Sequence, residues 1–161
     1  MLGTLWRAGA LAVTLCVGTF AHGHRFSAGD LVLDHPYAIP THAGAVHGAA
    51  YLRGIRNKGH RAERLLGAST SVADRVALRQ GGQPGTDLPG RELAAIELPA
   101  GQTTLLRHRG NYHLALIQLK RPLREGDRFD LTLHFERSGS QTVKVWVQAP
   151  RDSVSAVHQH P

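Results

Sequence analysis

The clearest pattern in the chain is strict alternation near its C-terminal end. Leu131, Leu133 and Phe135 alternate with Thr132, His134 and Glu136; Val143, Val145 and Val147 alternate with Lys144, Trp146 and Gln148. Arg137-Ser138-Gly139-Ser140 lies between the two runs, so they predict a two-faced antiparallel hairpin. Tyr112 to Leu119 is apolar at nearly every position, as in a strand covered on both sides. Gln102 to Arg107 and Arg91 to Leu98 are its predicted neighbours. Val46 to Arg56 reads as another strand closed by Asn57-Lys58-Gly59, and Ala62 to Ser69 and Val72 to Gln80 add two more. Between Gly81 and Gly90 the composition collapses to turn residues, which marks an exposed loop with room for a short helix. No stretch beyond the leader carries a convincing helical period. Eight or nine short strands with regular turn signals predict an all-β fold, a β-sandwich or Greek-key barrel.

The first 21 residues follow a different pattern. Arg7 precedes an apolar run from Ala8 to Val17, and Thr19-Phe20-Ala21 has the small-x-small form of a cleavage site, so residues 1–21 read as a signal peptide. The run is too short for a membrane helix, which needs about 20 apolar residues. Leu15 directly before Cys16 argues against acylation of that cysteine. The expectation is an exported, periplasmic protein with no stable membrane span after processing. Residues 22–29 would form a histidine-containing segment, 30–149 the domain, and 150–161 a flexible histidine-containing tail.

Composition narrows the chemistry. The chain has eleven histidines but one cysteine and one methionine, and Cys16 and Met1 both fall in the leader. A processed chain therefore contains no sulfur and no disulfide, and packing alone must stabilise it. The net charge is +7, and Arg7 is the only charged residue in the leader. The basic residues are scattered without interleaved aromatics, which disfavours nucleic acid and leaves an acidic partner or anionic surface. No nucleophile motif, paired carboxylates or phosphate-cradling loop is evident, and Gly81-Gly82 lacks a following Lys-Ser or Lys-Thr, so no enzyme is predicted.

Several ordered segments resemble the periplasmic copper chaperone family PCu(A)C. They are Asp34-His35-Pro36-Tyr37-Ala38, Gly48-Ala49-Ala50-Tyr51-Leu52, Asn57-Lys58-Gly59, Asp74-Arg75-Val76, Glu97-Leu98-Pro99-Ala100-Gly101, Tyr112-His113-Leu114, and Leu119 through Asp127. The resemblance covers about residues 30–148 and implies a cupredoxin-like β-sandwich that carries copper, delivering it to a recipient such as a respiratory oxidase subunit. It also implies a Cu(I) site of two histidines and two methionines, which suits a soft ion. Here the chain departs from the family. In the H-x-M position stands His113-Leu114-Ala115, and in the position of V-E-L-H-E-M stands Val76-Ala77-Leu78-Arg79-Gln80. The remaining methionine should fall between Gly81 and Arg91, where there is none. Three of four ligands are missing, and Arg79 offers a fixed positive charge with no lone pair. The core site is therefore expected to be degenerate, with His113 its one surviving ligand or simply a packed strand histidine.

Histidines at the two ends could replace it. Cleavage after Ala21 would expose His22-Gly23-His24, whose amine, backbone amides and His24 ring suit the square plane of Cu(II). His22 could instead chelate through its amine and its own ring, a histidine brace that would suit a redox enzyme. His158 and His160 form a second, weaker pair in the tail. The predicted metal ligands are thus His113, His22, His24, His158 and His160, with copper as Cu(II) rather than Cu(I). His35, His42, His47, His60, His108 and His134 are scattered among loops and strands, and most of them are expected to be surface residues. The rival reading is a metal-independent interaction module that docks an acidic partner.

Overall fold

The computed structural model describes residues 25–82 and 90–150, all of it strand, turn or irregular backbone. The strands are β1 (Arg25–Ala28), β2 (Leu31–Ala38), β3 (His47–Asn57), β4 (Glu63–Thr70), β5 (Ala73–Gln80) and β6 (Arg91–Leu93). They continue as β7 (Ile96–Leu98), β8 (Thr103–Leu106), β9 (Tyr112–Leu119), β10 (Arg128–Phe135) and β11 (Gly139–Val147). The ring β2-β11-β10-β4-β5-β9-β3 closes on itself because β3 also pairs with β2, which makes a barrel. The all-β, cupredoxin-like expectation holds. Alternation in sequence becomes inside and outside here: Phe129, Leu131, Leu133 and Phe135 of β10 and Val143, Val145 and Val147 of β11 are all buried in one core.

Two expectations need correction. Among the described residues, eleven strands form where eight or nine were predicted, partly because Arg91–Leu98 breaks at Ala94-Ala95: β6 pairs with β5, and β7 crosses over to pair with β4. Tyr112–Leu119 is central as predicted, but its neighbours are β5 and β3, not the strands from 91–98 and 102–107. The physical reason lies in β3, whose 11 residues outrun any partner. One edge of β3 takes β9 over His47–Ala50 and then β8 over Leu52–Arg56, so β8 never reaches β9 by strand pairing.

β2 shows the same sharing of an edge. It pairs with β1 up to Asp34, then with β11, in parallel, at Tyr37 and Ala38. Between these partners sits His35 with φ 47°, a left-handed conformation uncommon for a side-chain-bearing residue, though histidine tolerates it better than most. Burial falls on Leu31 and Leu33 before it and on Pro36 and Ala38 after it, so the inward phase shifts by one residue there.

Two buried polar side chains fix the loops. Glu63 is 3% exposed and accepts hydrogen bonds from the Arg64, Arg137 and Ser138 amides and the Ser138 hydroxyl, tying the β10–β11 turn to the start of β4. Burial works against its ionisation, but those donors outweigh it and hold its pKa below the usual carboxylate range. Asn57 donates to the Arg61 and Leu98 carbonyls and accepts from the Gly59 amide. None of the residues from 25 to 150 is cysteine or methionine.

Candidate metal centre

His113 lies on β9 and is 3% exposed. Its register partner on β5 is Arg79, so the two side chains start about 5 Å apart at Cβ on one face of the sheet. Arg79 donates through Nη1 to the Gly90 carbonyl at 3.2 Å, and its Nη2 lies 3.7 Å from Glu92 Oε2. Glu92 also holds Arg75 at 2.5 Å. Gly90 has φ 75°, and a Cβ there would strike the Gly81 carbonyl oxygen, so glycine is required where the loop returns to Arg79. Burial, and then the Arg79 charge, push the His113 pKa below the ordinary histidine value. Both influences favour the neutral imidazole, and its cross-strand neighbour is a cation.

Ala115 stands where the resemblance implies one of the methionines. Ala115 follows His113 on the same face of β9, and its register partners are Ala77 on β5 and Ala49 on β3. These three methyl groups lie in a row, and none can donate to a metal. Among the described residues, no group of three or more His, Cys, Asp or Glu side chains could hold a metal ion. His22, His24, His158 and His160 lie outside the described residues, so of the predicted ligands only His113 is placed.

Several of the histidines expected to be scattered on the surface are not isolated. The ring of His35 lies 5.9 Å from that of Tyr37, which stacks on Tyr51 at 5.1 Å, and Tyr51 meets His108 edge-on at 5.5 Å. The His108 amide donates to the Tyr37 hydroxyl at 2.9 Å, and the Tyr51 hydroxyl lies 3.3 Å from His108 Nδ1. Burial, and then proximity to Tyr37, raise the Tyr51 pKa, so this phenol keeps its proton. The Gln148 amide nitrogen is 3.1 Å from His35 Nε2. His35, Tyr37 and His108 face a cleft of about 300 Å³ that Arg53, Arg107 and Gln148 also line. The i, i+2 spacing of His35 and Tyr37 on a strand was the available signal for half of this cluster. Nothing in the sequence linked that half to His108.

His134 is held between Ser69 Oγ at 3.1 Å and Ser140 Oγ at 2.8 Å, using both ring nitrogens in a cross-strand bridge. His47 Nδ1 faces the Gln118 amide at 3.5 Å, and His42 Nδ1 faces the Ala43 carbonyl at 3.0 Å. These three make local structure instead of a shared site.

The fold is shared with solved domains. The apo PCuAC domain from PmoF1 superposes with a TM-score of 0.69 at 23% identity, covering 79% of this chain and 100% of that one. The copper-bound PCuAC domain from PmoF2 gives 0.68 at 23% identity, covering 79% and 99%. Apo-DR1885 from Deinococcus radiodurans gives 0.58 at 24% identity, covering 94% and 99%. No curated protein sequence matches the chain significantly. Among the described residues, no helix is long and apolar enough to cross a membrane. The family model that matches, over residues 31–147, is that of the putative lipoprotein LpqE-like proteins, and the chain belongs to that family.

Proposed function

We propose that this protein is an exported, non-enzymatic copper-handling protein whose barrel has lost the Cu(I) site. Its copper is bound as Cu(II) by histidines outside the barrel. The copper part of the reading draws on the likeness to a copper-bound PCuAC domain and a Cu(I)-loaded DR1885. The observation that carries the rest is the register pair Arg79–His113 beside the Ala49, Ala77 and Ala115 methyl groups. A permanent guanidinium charge against the one family histidine disfavours any cation there, and among the described residues no soft donor lies near to offset it. The nitrogen donors that remain, His22, His24, His158 and His160, suit Cu(II). Delivery to a periplasmic cuproprotein completes the proposal.

Calorimetric titration of the processed protein with Cu(II) tests it. Binding should be lost in the His24→Ala, His158→Ala, His160→Ala variant, and equal binding by that variant overturns the assignment. Intact mass of the exported form tests the site directly. A start at His22 completes the amine and His24 chelate. The family's description as putative lipoproteins points to the rival outcome, a lipid-modified Cys16 at the N-terminus, which removes that chelate.

A further inference from the structure

Charge on this barrel is unevenly compensated. Arg64, Arg75, Arg79, Lys120, Arg121 and Lys144 each have a carboxylate within 4 Å. Arg53, Arg56, Lys58 and Arg107 are exposed and have none among the described residues; the same holds for Arg61, Arg91, Arg109, Arg124, Arg128 and Arg137, but the first four share two adjoining clefts. These four lie together on the outer face of β3 and on or just beyond the ends of β3 and β8. The His35–Tyr37–His108 cleft is lined by Arg53 and Arg107. A neighbouring cleft of about 430 Å³ shares both arginines and adds Arg56, Lys58 and Leu105. Among the described residues, Asp34 is the only carboxylate lining either one.

Four like charges held this close repel one another, so the isolated fold gains nothing from the arrangement. A bound polyanion relieves that repulsion. The first cleft adds polar side chains to the charge: the His35 and His108 rings, the Tyr37 hydroxyl and the Gln148 amide. Guanidinium forks suit carboxylates held in a plane. From Arg53 to Lys58 the chain advances about 16 Å at strand rise, more than one carboxylate or phosphate can span. The occupant must therefore present several acidic groups in an extended line. Leu105, 45% exposed in the second cleft, offers that chain an apolar contact as well. A bilayer surface meets protruding side chains more readily than concave clefts, so the shape favours a peptide over lipid.

We propose that the joined clefts centred on Arg53 and Arg107 bind an extended acidic segment of a partner protein, independently of metal. This goes beyond the copper reading and does not rest on it. Fluorescence anisotropy of the processed protein with a labelled Asp/Glu decapeptide, in chelator and at physiological salt, tests it. The Arg53→Gln, Arg107→Gln variant should weaken binding at least about fivefold. An equally discharged Arg75→Gln, Arg121→Gln variant should change it by less than about twofold. Since Arg107 Nε donates to the Arg53 carbonyl at 3.0 Å, an Arg56→Gln, Lys58→Gln variant that leaves this bond intact should also weaken binding. Equal weakening by the Arg75/Arg121 control, equal affinity for an Asn/Gln decapeptide, or complete displacement by millimolar inorganic phosphate overturns the proposal. So does binding to phosphatidylglycerol vesicles without binding to the acidic peptide.

Discussion

Two histidine environments in one barrel take opposite forms. His113 is buried on β9, with a guanidinium as its register neighbour and a row of alanine methyls beyond. His35 and His108 border an open cleft and are tied to tyrosines and a glutamine. The first place is where the resemblance to copper carriers implies a metal site, and around His113 it presents a guanidinium and methyl groups, neither of which can ligate. The second has polar groups poised on solvent, and arginines there repel cations and attract anions. The lesson is that a scaffold's inherited position and its chemically competent surface need not coincide.

The largest expected effect comes from reversing the first environment. Arg79→His with Ala115→Met replaces a fixed charge by an imidazole and a methyl by a thioether, beside a histidine already in place. Cu(I) affinity, measured by competition with a chromogenic chelator, should rise at least about tenfold over the wild type. A folded double variant with no gain would show that more than ligand identity separates the two environments.

Tyr51→Phe probes the second environment. It removes a hydroxyl from a side chain that is 2% exposed and leaves His108 Nδ1 without that partner. Urea unfolding should show a loss of about 1–2 kcal/mol. A change near zero would mean that the tyrosine–histidine contacts contribute packing alone.

The smallest effect is in acid. Because His113 has a lowered pKa when folded, the unfolded chain binds more protons as the pH drops below the ordinary histidine value. Its presence therefore makes stability fall with pH in that range, down to the folded pKa. His113→Leu should flatten this part of the stability profile, while the Glu63 contribution remains until the pH falls through the lower carboxylate range. An unchanged slope would mean that other histidines dominate acid sensitivity.

Much of this architecture was legible in alternation. β9 was bounded correctly at Tyr112 and Leu119, and the β10–β11 hairpin followed from its valines, leucines and phenylalanines. Pairing was harder, because which strand lies beside β9 depends on β3 sharing one edge between two partners, a long-range choice that local pattern does not encode. The departure at Arg79 and Ala115 could be read from the residues, but its contact with His113 needed the register. The tyrosine–histidine cleft was invisible for a similar reason: His35 and His108 come from distant segments, and their meeting depends on the kink in β2 and the turn after β8.

The barrel's freedom from sulfur has one further consequence. Copper that cycles between oxidation states generates peroxide and radicals, and thioethers and thiols are the side chains these attack first. Between residues 25 and 150 there is no methionine to become a sulfoxide and no cysteine to climb through sulfenic to sulfonic acid. With no sulfur between residues 25 and 150, the barrel has no such side chain to corrode and none for a reductase to repair.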